Sequence, residues 1–291
     1  MDGRRGRRAG ASLTTDRRAV REAARRRKAQ RGAAISVVST VVVLGALAAV
    51  VLTSSGWPEV RDTFFSWSHF KDSFPDVAKG FWLDVRIFVL VELVVLALGL
   101  VVALVRVTRA PALFPMRLLA ATYTDVFRGI PTILCVYLVG FGVPALRLSG
   151  LPTDPVVLGG AALALSYSAY VAEVYRAGID SIHPGQRSGA LALGLTPTQA
   201  TRYVVLPQAV RRVVPPLLND FIALQKDVAL VSILGPLEAF RVAQIDASSN
   251  FNYTPLIAAA CLYLAVTIPL ARVVDRLQAR DLLRRSGGAP A

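Results

Sequence analysis

The feature that most constrains this chain is a set of apolar runs, each long enough to cross a lipid bilayer. The first run, Ala33–Thr53, has 21 residues and no charged side chain. Because an α-helix rises about 1.5 Å per residue, roughly 20 apolar residues cross the hydrocarbon core. The run is longer than the apolar centre of a cleaved signal peptide, so we expect a retained membrane helix.

Five more apolar runs follow, and 54% of the residues in the whole chain are hydrophobic. We therefore predict an all-α integral membrane protein with six transmembrane helices. The predicted spans are Ala33–Thr53, Phe81–Val105, Gly129–Leu146, Pro155–Ala172, Val213–Leu237 and Pro255–Ala271. An even number of spans places both termini on the same side of the membrane.

The distribution of basic residues indicates which side that is. The segments on the side of the two termini contain 26 Arg or Lys in total, of which 12 lie in residues 1–31. The segments on the opposite side contain five. Cytoplasmic segments are enriched in Arg and Lys, so we predict both termini in the cytoplasm. The net charge of +14 would also suit a nucleic-acid-binding protein. Because the bulk of the chain is apolar, we expect the basic tail to contact membrane lipid and not nucleic acid.

Side chains that could carry covalent chemistry show no arrangement typical of an active site. The two cysteines, Cys135 and Cys261, lie in apolar runs, and the two histidines, His69 and His183, are far apart in sequence. We therefore predict no metal site, no disulfide framework and no catalytic residue. A membrane enzyme is correspondingly disfavoured.

Charged residues inside the predicted spans are informative because charge is costly at membrane depth. Glu92 lies near the middle of the second span, and Lys226 and Asp227 lie in the fifth. These residues could line a polar path for a zwitterionic solute, together with Tyr167 and Tyr170. Alternatively, Glu92 and Lys226 could form a structural pair between two helices.

Glu173 and Arg176 lie near the predicted inner end of the fourth span. They are three residues apart and therefore share one face of a helix. We expect structural pairing there rather than contact with a solute.

The segment 188–207, SGALALGLTPTQATRYVVLP, is too polar and interrupted to be a span. Helix formers at 185–193 precede Gly194, which fits the glycine that ends many helices. Thr196, Pro197 and Gln199 then form the pattern of a capping box, which predicts a second helix. We expect that helix to stop at Pro207, so the segment is predicted as a cytoplasmic helix, turn and helix.

The first predicted helix of this segment has an apolar face, formed by Ala190, Leu191, Leu193 and Leu195. An exposed apolar face would suit the groove of a partner protein. The same face could instead pack on the inner ends of the spans, and the residues alone leave both alternatives open.

The segment resembles the EAA loop of permease subunits of ATP-binding-cassette (ABC) importers, whose pattern is E-A-A, three residues, G, nine residues, I, one residue, L-P. This chain has Ser188-Gly189-Ala190, Gly194, Val204 and Leu206-Pro207 at unbroken spacing. Further motifs resemble those of the polar amino acid permeases in the same order along residues 80–276. They are FRGIP at 127–131, AYVAEVYRAG at 169–178, GQ at 185–186, PQA at 207–209 and KD at 226–227.

The resemblance implies a type I importer permease with a five-span core at residues 81–276 and an additional first span at 33–53. Residues 1–32 and 277–291 would then be cytoplasmic tails, and 54–80 an extracellular segment. The loop at 182–207 would be a coupling helix that contacts an ATPase. The residues implied in that contact are Ser188, Gly189, Ala190, Leu191, Gly194, Leu195, Leu206 and Pro207.

The same resemblance implies the partners and the solute. The chain lacks the GxxxxGK[ST] phosphate-binding pattern, so ATP and Mg²⁺ would be bound by two partner ATPase subunits and no cofactor by this chain. A second permease copy or homologue and an extracellular solute-binding protein would complete an importer for glutamate, glutamine, arginine or histidine. Ser188 and Gly189 depart from the family's Glu and Ala, and Asp84 stands where the family usually has Thr. An ion-coupled carrier or channel acting without an ATPase is the alternative.

Overall fold

The computed structural model describes residues 30, 32–108 and 110–286, and these are helical apart from short connections. The predicted basic tail at 1–32 lies almost entirely outside the described residues, as do the last five residues of the predicted tail at 277–291. The chain divides into two compact units, residues 1–61 and 62–291. The first unit contains helix α1, Gly32–Leu52, which matches the first predicted span within one residue and has no charged side chain.

Ten helices follow α1 in the described part of the chain. They are α2 Trp57–Phe64, α3 Trp67–Val107, α4 Phe114–Gly129, α5 Thr132–Ala145, α6 Pro155–Asp180, α7 Pro184–Ala192, α8 Pro197–Ala200, α9 Leu206–Asp227, α10 Ala239–Asn250 and α11 Thr254–Ser286. Two short 3₁₀ helices, Pro111–Leu113 and Val228–Leu234, and a π-helical turn, Thr201–Val205, connect them. Residues 54–80, predicted as an extracellular segment, form α2 and the first part of α3.

Four stretches are long and apolar enough to cross a membrane, and the number rises to six if each of two bent helix pairs counts as one span. The predicted third span, Gly129–Leu146, contains one of these bends: α4 and α5 meet at 109°. The helix stops at Gly129 because Ile130 precedes a proline and adopts an extended conformation. The predicted fifth span, Val213–Leu237, is interrupted as well, since Gly235 has φ +106° and ends the 3₁₀ helix.

The main core lies where α3, α5 and α6 meet the 3₁₀ helix Val228–Leu234. Val95, Val136, Leu163 and Val231 are almost completely buried there. Helices α3 and α6 approach closely at Gly99, where an added Cβ would lie 2.7 Å from Cγ1 of Val171. The helices α3, α5 and α6 are therefore fixed around one apolar centre.

A second contact region joins α3 to the start of α10. Glu238 caps α10 by accepting hydrogen bonds from the backbone N–H groups of Phe240 and Arg241, both at 2.7 Å. Asp84 on α3 accepts from the Ala239 N–H at 3.3 Å and from the Tyr263 hydroxyl at 2.8 Å. The aspartate that departs from the family pattern thus ties α3 to α10 and α11.

Candidate functional site

The segment between α6 and α9 is a helical hairpin, which we call the α7–α8 hairpin (residues 183–205). Helix α7 begins at Pro184, after His183, whose Nδ1 accepts a hydrogen bond from the Gly185 N–H at 3.1 Å. It ends at a left-handed Gly194 with φ +86°. The N–H groups of Gly194 and Leu195 bond back to the carbonyls of Leu191 and Ala190, which is a Schellman ending. The predicted glycine terminus is confirmed.

The predicted capping box is also present. The Thr196 hydroxyl accepts from the Gln199 N–H at 3.3 Å, and the Gln199 side chain accepts from the Thr196 N–H at 2.9 Å. Both hydrogen bonds are local, so the short sequence pattern is sufficient to specify this turn.

The prediction that the second helix stops at Pro207 is wrong. The chain passes through the π turn Thr201–Val205, in which the Leu206 N–H bonds to the Thr201 carbonyl, and continues as α9. Pro207 therefore stands in the first turn of α9, where a missing N–H is tolerated. The Gln208 side chain donates to the Val204 carbonyl at 2.8 Å, which satisfies an acceptor at this junction.

The base of the hairpin is hydrogen-bonded to α9, and α9 is hydrogen-bonded to the end of α6. Gln208 donates to Gln186 at 3.2 Å, so the glutamines of two separate motifs, 22 residues apart, contact each other. Arg212 on α9 donates to the Ser181 carbonyl at the end of α6. A displacement of the hairpin would therefore act directly on α6 and α9.

The tip of the hairpin is exposed, but its apolar surface is narrower than predicted. Leu193 is 83% exposed and Leu191 40%, whereas Ala190 is buried against the rest of the hairpin and Leu195 is half-buried. The other residues of the predicted contact, Ser188, Gly189, Gly194, Leu206 and Pro207, are exposed. Beside the hairpin, a cleft of 780 Å³ is bounded by Val107 on α3, Asp180 on α6 and Arg187, Ser188 and Leu191 on α7.

Glu173 is the centre of a charge network above the hairpin. It accepts hydrogen bonds from Arg176 at 2.5 and 3.2 Å and from Arg106 of α3 at 2.8 Å. Arg128, at the end of α4, lies 3.8 Å away, and Arg176 also bonds to Asp180 at 2.7 Å. Sequence reasoning found the local pair, Glu173 with Arg176, and missed the two arginines on other helices. The FRGIP motif at 127–131, which contains Arg128, was the one feature of the sequence that could have indicated this contact.

The two predicted path tyrosines have different surroundings. Tyr167 is buried, and its hydroxyl donates to Asp227 at 2.9 Å. Tyr170 is 37% exposed, and its hydroxyl donates to the Arg128 carbonyl at 3.3 Å, while the Arg128 guanidinium lies 5.9 Å from the ring centre. Tyr167 thus belongs to the α6–α9 contact and Tyr170 to the charge network.

Glu92 and Lys226 do not pair. Glu92 is 9% exposed, Lys226 is exposed, and no ion pair joins either of them to another described residue. Asp220 of α9 likewise forms no ion pair with a described residue, and its Oδ2 is buried without a hydrogen-bond partner. Among the described residues, no group of three His, Cys, Asp or Glu side chains could hold a metal ion.

Comparisons with known proteins agree with this architecture. Residues 96–280 match the family described as "Binding-protein-dependent transport system inner membrane component". The chain is 34% identical to the arginine transport system permease protein ArtQ of Bacillus subtilis, over 67% of this chain and 88% of that protein. It is 33% identical to the glutamine transport system permease protein GlnP of Escherichia coli, over 74% of this chain and 97% of that protein.

A solved structure described as an amino acid ABC transporter with histidines is similar as well. It superposes with a TM-score of 0.64 and 32% identity, covering 71% of this chain and 94% of the solved chain. These matches support a permease that depends on an ATPase and not the ion-coupled alternative. The chain therefore belongs to the binding-protein-dependent transport system inner membrane components, and it is a multi-pass membrane permease of a bacterial ABC importer.

Proposed function

We propose that this permease imports a polar amino acid and that the α7–α8 hairpin couples its membrane helices to a cytoplasmic ATPase. The observation that carries the proposal is the construction of the hairpin. Its tip presents Leu191 and Leu193, its base is hydrogen-bonded to α9 through Gln186 and Gln208, and α9 is in turn hydrogen-bonded to the end of α6 through Arg212. The amino acid class is supported by the names of the relatives, which are transporters of arginine and glutamine.

The working complex in this proposal contains two ATPase subunits, a second permease that is identical or homologous, and an extracellular solute-binding protein. Both termini lie in the cytoplasm, which the distribution of Arg and Lys supports. ATP and Mg²⁺ bind to the ATPase subunits, and this chain performs no covalent chemistry. Its basic tail contacts anionic lipid rather than nucleic acid.

Coupling in this scheme is a rigid-body movement. Closure of the ATPase pair around ATP carries the hairpin with it, and the hydrogen bonds at its base pass the displacement to α6 and α9. Glu173 extends the connection to α3 through Arg106 and to α4 through Arg128. The residues assigned to the ATPase contact are Ser188, Gly189, Ala190, Leu191, Gly194, Leu195, Leu206 and Pro207, with Ala190 supporting the surface from within.

The translocation path in this scheme lies between α3, α6 and α9, and Glu92, Tyr167, Tyr170, Lys226 and Asp227 line it or shape its wall. An exposed Lys226 that pairs with no described carboxylate is suited to the α-carboxylate of an amino acid. Charged side chains at membrane depth in transport proteins usually face such a path.

Reconstituted transport tests the proposal. The purified permease is incorporated into liposomes with its ATPase and binding protein, with ATP on the ATPase side, and uptake of labelled arginine and glutamine is measured. We expect uptake of at least one of them only when ATP and the ATPase are both present. Equal uptake by the permease alone, driven by an ion gradient, would contradict the proposal.

A further inference from the structure

Asp84 and Glu238 place two carboxyl groups side by side where α3 meets the start of α10. Asp84 is 2% exposed and Glu238 is completely buried. The backbones approach closely because Gly80, one turn before Asp84 on α3, has no side chain: an added Cβ would lie 2.7 Å from the carbonyl carbon of Glu238. The two carboxyl side chains lie within hydrogen-bonding reach of each other. Two acids in such a contact cannot both be ionised without strong mutual repulsion.

The hydrogen bonds around this pair leave one carboxyl oxygen without a partner. Asp84 Oδ2 accepts from the Ala239 N–H at 3.3 Å and from the Tyr263 hydroxyl at 2.8 Å, and both oxygens of Glu238 accept from backbone N–H groups of α10 at 2.7 Å. Asp84 Oδ1 is buried and has no hydrogen-bond partner among the described residues. Two carboxylates cannot bond to each other, because an ionised carboxyl only accepts. A carboxylic acid O–H at Oδ1 could donate to a second lone pair of Glu238 and would satisfy this atom.

No basic side chain in the described part of the chain neutralises the pair. Neither carboxyl forms an ion pair with a described residue. The Arg241 side chain, on α10, donates to Gln244 at 2.7 Å instead. The 3₁₀ helix Val228–Leu234 contains no titratable side chain. The other polar or charged groups of the packed elements are neutral, exposed or paired elsewhere: Tyr263 on α11, Gln225 on α9, and Lys79 and Arg86 on α3.

We propose that Asp84 and Glu238 share one proton, which lies between Asp84 Oδ1 and a carboxyl oxygen of Glu238 and holds α3 against α10. The single negative charge that remains is stabilised by the Tyr263 hydroxyl and by the N-terminus of α10. When the proton passes to solvent water at alkaline pH, two carboxylates face each other and the contact weakens. Buried glutamic acids can keep their proton up to about pH 8–9, so we expect the contact to be closed at neutral pH. The resemblance to the permease family does not imply this pair, because the family usually has Thr at the position of Asp84.

Infrared spectroscopy of the purified full-length permease detects the proton directly, because a carboxylic acid and a carboxylate absorb at different frequencies. The wild type is compared with Asp84→Asn, whose amide can donate to Glu238 without an added proton. Asp76→Asn is the matched control, since Asp76 is an exposed α3 carboxylate that pairs with Lys79. At neutral pH we expect the wild type and the control to show the acid band of one more carboxyl than Asp84→Asn. That additional band should disappear above about pH 9.

The pH dependence of stability measures the energetic consequence of the same proton. Because the unfolded chain ionises both acids, the folded wild type binds one proton more than the unfolded one between about pH 5 and pH 8. Its stability should therefore fall as the pH rises through this range. We expect the unfolding equilibrium constant, from chemical denaturation in detergent, to rise about tenfold more per pH unit in the wild type and the control than in Asp84→Asn.

A second variant decides the question even if Asp84→Asn does not fold. Tyr263→Phe removes the hydroxyl that stabilises the charge on Asp84, so the acid band should persist to a higher pH than in the wild type. Identical acid bands in all proteins, or an unchanged pH of disappearance in Tyr263→Phe, would overturn the inference. So would a missing acid band together with a melting temperature that Na⁺ raises in the wild type and not in Asp84→Asn, since the pair would then hold a cation. None of these measurements involves solute or ATP, so their outcome is independent of the proposed function.

Discussion

The helical core and the α7–α8 hairpin use glycine for different physical reasons. In the core, Gly80 and Gly99 let helices approach so closely that an added Cβ would lie 2.7 Å from its nearest neighbour. In the hairpin, Gly189 and Gly194 have nothing within 4 Å of an added Cβ, and Gly194 is needed only for its φ of +86°. The core is therefore determined by long-range packing, and the hairpin by its own backbone hydrogen bonds. The hairpin can therefore keep its own fold while it is displaced, as coupling to α6 and α9 requires.

The largest effect is expected where backbone meets backbone in the core. A Cβ at Gly80 would lie 2.7 Å from the carbonyl carbon of Glu238, which cannot rotate away as a side chain can. We expect Gly80→Leu to destabilise the protein by more than about 3 kcal/mol and to abolish the monodisperse, detergent-solubilised protein. Gly142→Leu is the control, since nothing lies within 4 Å of Gly142. Equal yields of both variants in size-exclusion chromatography would show that the close approach is not required.

The next effect concerns the charge network that joins core and hairpin. Glu173→Gln removes the negative charge shared by Arg106 and Arg176 and turns one of the two acceptor oxygens into an N–H donor, leaving two partly buried guanidinium groups without a counter-charge. We expect a loss of about 2 kcal/mol in thermal stability. Asp76→Asn breaks an exposed pair with Lys79 and should cost no more than about 0.5 kcal/mol. Similar melting temperatures for the two variants would mean that the Glu173 network does not hold the helices together.

Within the hairpin, the two glycines should respond with opposite signs to the same substitution. Gly194→Ala forces a Cβ into the left-handed region and should cost about 1 kcal/mol. Gly189→Ala, inside α7, should stabilise the helix by up to about 1 kcal/mol because alanine loses less backbone entropy. Hydrogen exchange of the α7 amides measures both changes. If both substitutions slowed exchange, Gly194 would not be required for its left-handed conformation, and the proposed difference between core and hairpin glycines would be wrong.

The most local effect is expected at the capping box. Thr196→Ala removes the acceptor of the Gln199 N–H and should lower the free energy of local opening of α8 by about 1 kcal/mol. Thr196→Ser keeps the hydroxyl and should preserve the cap. Hydrogen exchange of the amides at 198–200 measures the difference. No change in either variant would show that the hairpin is held by other contacts.

The sequence was most informative where the determining interactions are local. Gly194 and the Thr196–Gln199 pair were predicted from a few adjacent residues because their hydrogen bonds close within one turn. The helices α1, α3, α6 and α11 were predicted from the length of their apolar runs. In contrast, the continuation of helix through Pro207 depends on a π turn, for which the sequence carries no distinct pattern.

Contacts between distant residues were not predictable from one sequence. Asp84 meets the start of α10 across 155 positions, and Arg106 meets Glu173 across 67. A charged residue within or beside a predicted span indicates that it needs a hydrogen-bond or ion-pair partner, but only the fold shows which residue that partner is.

The central claim is that the α7–α8 hairpin passes the movement of an ATPase to the membrane helices. The most direct measurement is the number of amino acids imported per ATP hydrolysed by the reconstituted complex with Gly194→Trp, compared with the wild type. We expect ATP hydrolysis to continue while import is largely lost, because the bulky residue disrupts the turn at Gly194 without touching the core. Import per ATP at the wild-type value would contradict the account.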